Sequence, residues 1–194
     1  MRNVYTVNMS RVIIEQIISA DGFAVDTDGG MKFLNGVDPG NWDVRQLQLV
    51  ERLDAIVFGR VTYGIFADYW LDADPEQQPV AKPINALPKH VVSNTLKRAP
   101  WGDGEISVES GDGVESVRRL RDQYSGDLMI WGSLTLADSL FSAGEVDVLR
   151  LRIVPTLIGS GRGVTPDDLP LTALELTSSH SSPGGQVTLE YAVR

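Results

Sequence analysis

The apolar and polar positions divide the chain into short segments. Residues 12–19 are rich in Ile and Val and predict a strand, which Asp21-Gly22 closes before Phe23-Ala24-Val25. Residues 26–42, with many Gly and Asp and one Pro, predict an irregular loop longer than a connector needs to be. Over 43–53 the residues Val44, Leu47, Val50 and Leu53 recur every three positions among charged and amide side chains, which predicts a helix. Asp43 falls in its first turn, where a carboxylate suits the helix dipole. Ala55-Ile56-Val57-Phe58 is a short, wholly apolar strand ended by Gly59. Thr62 is placed to cap a short helix carrying Tyr63, Phe66 and Tyr69.

Residues 71–88 are acidic and Pro-rich and predict surface loop. Lys89 to Val92 resumes a strand that Ser93-Asn94-Thr95 ends, and Ile106 to Val108 suggests another. Val114 to Tyr124 reads as a helix, with Val117, Leu120 and Tyr124 on one side. Gly126-Asp127 turns into the strand Leu128 to Trp131, Gly132-Ser133 breaks it, and a helix from Leu134 to Ser142 follows. Val148 to Ile158 reads as a long strand in which Pro155 suggests an edge position or a bulge. Leu174 to Thr177 and Val187 to Tyr191 alternate across Pro183-Gly184-Gly185, which predicts a C-terminal hairpin with one side packed and the other wet. Strands and helices alternate early, and strands dominate late. That order favours an α/β fold with a mixed, mostly parallel sheet, helices on both faces and an antiparallel C-terminal hairpin. No composition shift marks a boundary, so residues 1–194 read as one domain.

Composition narrows the chemistry. The chain has 194 residues, 42% hydrophobic and 22% charged, enough apolar surface for a sizeable core. A net charge of −9 and the lack of a dense Lys/Arg cluster argue against nucleic acid or anionic lipid as a partner. A local basic pocket for a phosphate stays compatible with it. The absence of Cys excludes disulfides, thiolate catalysis and Cys-based metal sites. The two histidines, His90 and His180, are far apart and lack clustered carboxylates, so no metal site is expected. No stretch of 18 apolar residues exists and the N-terminus lacks the order of a signal peptide, so the expectation is a soluble cytoplasmic protein.

Three strand ends share a design, an apolar run followed by a small or polar residue and then a helix or turn. They are Phe58-Gly59-Arg60-Val61-Thr62, Val92-Ser93-Asn94-Thr95 and Trp131-Gly132-Ser133. In open α/β sheets ligands sit beyond the carboxyl ends of the strands. Gly lets a phosphate approach the backbone, a helix start offers free N–H groups to an anion, and Arg60 offers a charged fork. Each element alone is more often an ordinary turn; together they point to a phosphate-rich ligand. The run Gly159-Ser160-Gly161-Arg162-Gly163 follows a late strand with Pro166 close behind, so it reads as a turn rather than a dinucleotide fingerprint. Asp21, at a strand end, and Asp43, at a helix start, are the candidate proton-handling residues. Asp21 reads equally as an ordinary turn aspartate, and Asp43 reads slightly more readily as a helix cap.

These motifs, in this order, resemble the dihydrofolate reductase superfamily, and most closely the reductase domain of riboflavin-biosynthesis proteins and its stand-alone bacterial relatives. The residues that carry the resemblance are Ile18-Ser19-Ala20-Asp21-Gly22-Phe23, Phe58-Gly59-Arg60-Val61-Thr62-Tyr63, Val92-Ser93-Asn94-Thr95, Trp131-Gly132-Ser133 and Val146 to Leu151 running into Ile153-Val154-Pro155. The resemblance implies NADPH as cofactor, a small heterocyclic substrate and a homodimer. It implies Gly59, Arg60 and Thr62 near the cofactor phosphates, Ser93 and Asn94 on the adenosine 2′-phosphate side, Gly132 and Ser133 near the pyrophosphate, and Asp21 by the reacting end. It places Asp43 near the acid with which dihydrofolate reductases hold the pterin, although their Trp-x-x-Pro pattern is absent here. A ribosylaminopyrimidine phosphate, dihydrofolate, or binding without turnover remain as alternatives.

Overall fold

The computed structural model describes residues 10–37 and 44–194. The first strand, β1 (Val12–Ser19), leads through a loop with one 3-10 turn (Lys32–Leu34) towards α1 (Val44–Val50). Then follow β2 (Leu53–Gly59), α2 (Arg60–Trp70), α3 (Ala81–Ala86), β3 (Lys89–Val92) and a small antiparallel pair, β4 (Pro100–Trp101) and β5 (Gly104–Glu105). The chain continues through β6 (Ser107–Glu109), α4 (Gly113–Gln123), β7 (Asp127–Trp131), α5 (Leu134–Ser142), β8 (Val148–Val154), β9 (Leu174–Ser181) and β10 (Val187–Val193). One eight-stranded sheet runs β6-β3-β2-β7-β1-β8-β10-β9. Pairings from β6 to β8 are parallel, and those of β10 with β8 and β9 are antiparallel. The mixed, mostly parallel architecture expected from the element order is therefore present.

The core lies on both faces of that sheet, as the period of two in each buried strand requires. Ile13, Ile56, Phe58, Met129 and Trp131 face one way, against Leu49 and Val50 of α1, Tyr63 and Trp70 of α2 and Ile84 of α3. Val12, Ile14, Val57, Leu128 and Ile130 face the other way, against Val117 and Leu120 of α4 and Leu136, Leu140 and Phe141 of α5. A strand covered on both faces reads as a continuous apolar run, which is why these segments were legible.

Several local expectations change. The helix expected over 43–53 stops at Val50, because Leu53 already opens β2 and packs as a buried strand residue. Gly59, not Thr62, occupies the N-cap of α2, so Thr62 lies inside the first turn. The Pro-rich segment 71–88 holds the short helix α3, with Pro83 in its first turn, where a missing N–H costs nothing. The strand 148–158 ends at Val154, and Pro155 stands just beyond it; β8 is interior, paired on both sides. In the hairpin, β10 is partly covered, but β9 is the sheet edge and is exposed along nearly its whole length, on both faces.

Candidate cofactor and substrate site

Because β3, β2 and β7 are consecutive and parallel, their carboxyl ends stand side by side on one edge of the sheet. That topology brings together the three motifs Ser93-Asn94, Gly59-Arg60 and Gly132-Ser133. β1 is the next strand along, so Asp21 follows on the same edge.

The β2 and β7 ends interlock. A Cβ on Gly59 would fall well inside contact distance of the Ser133 side chain, and a Cβ on Gly132 would lie 2.5 Å from Thr62 Oγ1. Ser133 donates its N–H to Thr62 Oγ1 at 3.0 Å, and its own Oγ accepts from Leu136 N–H at 3.3 Å, capping α5. Ser133 is the one described non-glycine residue with positive φ, at 58°. A serine in this left-handed conformation is strained and is held there by the bonds on either side of it. The starts of α2 and α5 are thereby clamped together. The cap of α2 is glycine, which offers no side chain to the first-turn N–H groups. Those orphan donors and the positive end of the helix dipole are what an anion seeks. The Arg60 side chain, at the first position of α2, is exposed and makes no hydrogen bond or ion pair among the described residues.

Ser93 and Asn94 secure the neighbouring strand ends. Ser93 Oγ accepts from the N–H groups of Leu96, at 3.0 Å, and Thr95, at 3.3 Å. Asn94 grips Gly111 twice: Oδ1 accepts its N–H at 2.6 Å and Nδ2 donates to its carbonyl at 3.2 Å. The loops after β3 and β6 are thus tied to each other just before α4 begins. Both side chains act on backbone, so their contribution to the edge is its shape.

Asp21 is exposed, and its carboxylate accepts from Gly159 N–H at 2.7 Å and Ile158 N–H at 3.1 Å. The Ser19 hydroxyl first, then these backbone groups, hold its carboxyl below the usual carboxylate range. The Gly159–Gly163 run is packed against the loop after β1: Ala24 N–H donates to the Arg162 carbonyl at 2.8 Å, and a Cβ on Gly161 would collide with the Val25 carbonyl. Close approach of two backbones explains that glycine. Asp43 lies outside the described residues.

One cluster was not anticipated. Glu15 of β1, 2% exposed, pairs with Arg150 and, at 3.4 Å, with Arg152, both on β8. It also accepts from Trp131 Nε1 at 2.8 Å and from Gln46 Nε2 of α1 at 2.9 Å. Burial pushes the Glu15 carboxyl up, but Arg150 and Arg152 together with the Trp131 indole outweigh that and hold it below the usual range. The cluster ties α1 to three strands, and Trp131 carries it to the residue preceding Gly132. Two arginines at alternate positions of an apolar strand were the available signal, since one face then needs a buried carboxylate. Among the described residues no group of three or more His, Cys, Asp or Glu is arranged to hold a metal, and no helix is long and apolar enough to cross a membrane.

Residues 10–188 match the model of the RibD C-terminal domain. The chain belongs to the RibD C-terminal domain family. It is 23% identical over 183 residues to the uncharacterised protein YyaP of Bacillus subtilis (strain 168), covering 93% of this chain and 94% of that one. Among solved structures, a putative riboflavin biosynthesis protein from Shewanella sp. PV-4 superposes with a TM-score of 0.75 at 22% identity, covering 95% of this chain and 99% of that one. The Thermotoga maritima diaminohydroxyphosphoribosylaminopyrimidine deaminase/5-amino-6-(5-phosphoribosylamino)uracil reductase gives 0.66 at 14%, over 96% of this chain and 57% of that one. Enterococcus faecalis dihydrofolate reductase, complexed with NADP(H) and RAB-propyl, gives 0.62 at 14%, over 95% and 96%. At these identities the structural likeness establishes the dihydrofolate reductase-like fold alone, and membership of the RibD reductase family points to a reductase.

Proposed function

We propose that this RibD-family chain is one reductase domain that takes NADPH along the β3-β2-β7 edge and transfers hydride to a small heterocycle. The observation that carries the reading is the clamped pair of helix starts at Gly59-Arg60 and Gly132-Ser133, with the first-turn N–H groups of α2 left open and Arg60 unpaired beside them. That arrangement fits a pyrophosphate: backbone donors face it, glycine admits close approach, and the guanidinium adds charge. Gly59, Arg60, Thr62, Gly132 and Ser133 hold the phosphates in this reading. Ser93 and Asn94 shape the adenosine 2′-phosphate side through the loops they fasten. Bound NADPH would supply the hydride.

Asp21 stands on the substrate side and, already ionised and engaged by backbone N–H groups, orients the reacting end rather than giving up a proton. Asp43, whose placement lies outside the described residues, is assigned proton handling in this reading from the sequence alone. A ribosylaminopyrimidine phosphate such as 5-amino-6-(5-phosphoribosylamino)uracil is the first substrate to test, with dihydrofolate second. A homodimer formed through the exposed edge strand β9, and a cytoplasmic location where NADPH is at hand, complete the reading.

Titration of the purified protein with NADPH and NADH, followed by nicotinamide fluorescence, tests it first. Saturable binding with preference for NADPH is expected, then oxidation of NADPH on adding the right heterocycle. Failure to bind either nucleotide sinks the proposal. Tight binding with no oxidation by any pyrimidine, pterin or flavin candidate identifies a nucleotide-binding protein that retains the fold without turnover.

A further inference from the structure

A groove of about 480 Å³, lined mostly by charged and polar residues, lies away from the cofactor edge, between α1 and the β8-β10-β9 face. Arg150, Glu190 and Ser178 form one row across those three strands, since Arg150 pairs with Glu190 and Glu190 with Ser178. Thr188 lies one step along β10 on the same face, and Arg45 of α1 and Arg52 of the turn after it line the opposite wall. Arg150 is four residues from the end of β8, so the groove is set back about 13 Å from the sheet edge at the usual rise of a strand.

Arg150 is the informative residue. It is 4% exposed and yet lines the groove. Its hydrogen bonds to Glu15 and Gln46 are both made by Nη1. Nε and Nη2 donate no hydrogen bond among the described residues; Glu190 Oε2 lies 3.6 Å from Nε, beyond hydrogen-bond reach. Nε and Nη2 form the edge of a guanidinium that matches two oxygens of a carboxylate or phosphate. A buried arginine whose fork edge makes no hydrogen bond and has only the ion-pair contact with Glu190, in a groove with two further arginines and the Thr188 and Ser178 hydroxyls, is arranged as an oxyanion receptor for which Glu190 competes. Glu190 and Glu51 moderate the charge of the groove, which favours a ligand that brings hydroxyl or amide groups as well as its anion.

We propose that this groove binds the phosphate or carboxylate group of a small polar metabolite, with the Nε/Nη2 edge of Arg150 as its anchor. The site does not depend on the cofactor reading. A ligand there would share Arg150 with Glu15, and Glu15 with Trp131, the residue before Gly132.

Calorimetric titration at low ionic strength with inorganic phosphate, and separately with succinate, tests the site and tells phosphate from carboxylate. Arg150 also neutralises buried Glu15, so its replacement risks the fold; Glu190→Gln and Arg52→Ala avoid that risk. Removing the competing carboxylate with Glu190→Gln is expected to tighten binding about tenfold. Arg52→Ala is expected to weaken it about threefold, the effect of one partly exposed charge. Arg98→Ala, in an exposed ion pair outside the groove, is expected to leave it unchanged. Absence of binding of both anions to the native protein overturns the proposal, and if Glu190→Gln then binds, Glu190 is itself the resident anion. Binding that disappears in Arg98→Ala, or that ignores both groove substitutions, places the anion elsewhere and overturns the proposal equally.

Discussion

The two ends of the Glu15–Trp131 link are built on opposite principles. At the β2 and β7 ends the candidate cofactor site is made of backbone: glycines, a hydroxyl pair and the starts of two helices, with one free arginine at the rim. Between α1 and the β1-β8 pair the site is made of charge: a buried carboxylate, two buried arginines and an amide, each bonded to the next. A backbone site depends on close approach and tolerates almost no added atom. A buried charged cluster depends on completeness, because removing one member takes from the others a partner they were desolvated to meet. The two regions should therefore fail differently, one in ligand binding and the other in folding.

The largest effect is expected on the charged side. Glu15→Ala leaves Arg150 and Arg152 buried without their shared carboxylate, which costs about 3–5 kcal/mol. For a chain of this size that corresponds to a fall in melting temperature of about 10 °C. Thermal unfolding followed by circular dichroism measures it. A fall of only one or two degrees would mean that water or Glu190 readily replaces Glu15, and the contrast between the two regions would lose its basis.

Next comes the clamp. Gly59→Ala drives a methyl group into Ser133, at an overpacking cost of about 1–3 kcal/mol, and displaces the helix starts proposed to receive the phosphates. NADPH binding should weaken by more than the loss of stability alone explains. Adding Ser133→Gly opens the space and relieves the positive φ, although it removes the cap on α5. The double variant should recover part of the affinity, and the coupling read from a double-mutant cycle measures the clamp. Strictly additive losses would show that the two residues do not act on each other.

Arg60→Ala should be milder. The side chain is exposed and bonds to nothing among the described residues, so stability should hardly change. Loss of one exposed charge beside a phosphate weakens NADPH binding by about 1 kcal/mol, close to fivefold, and should narrow the preference over NADH. Equal affinity and equal preference in native and variant protein would remove Arg60 from the phosphate site.

The same contrast explains what could be read from the chain. Strands such as Ala55–Phe58 and Leu128–Trp131 are apolar throughout, and a small residue at the end of each marks where the proposed ligand site begins. Local pattern thus reached the three strand ends, and the topology set them side by side. The Glu15 cluster is assembled from four separate segments, and no window of sequence contains two members from different strands. Glu15 and Gln16 read there only as an interruption in an apolar run. Helix α3 was missed because its six residues include Pro83 and follow an acidic, Pro-rich stretch. The end of β8 was misplaced because the apolar pattern runs on through Leu157 and Ile158, although Pro155 stops the pairing.

Asp21 should give the smallest effect and sits where the two regions meet. Its folded carboxyl lies below the usual range, so its contribution to stability is present above the unfolded value, about 4, and is lost as pH falls through the folded value. Asp21→Asn keeps one acceptor for the N–H groups of Gly159 and Ile158 but loses the charge. The variant should melt slightly below the native protein at pH 7, and the gap should begin to close as the pH drops below about 4 and vanish once native Asp21, with its lowered folded value, takes up its proton. A gap that persists unchanged into acid would mean that Asp21 holds the 158–163 loop by shape rather than by charge. In that case its proposed place at the substrate side would owe nothing to ionisation, and the proposed assignment of proton handling to Asp43 would lose one of its supports.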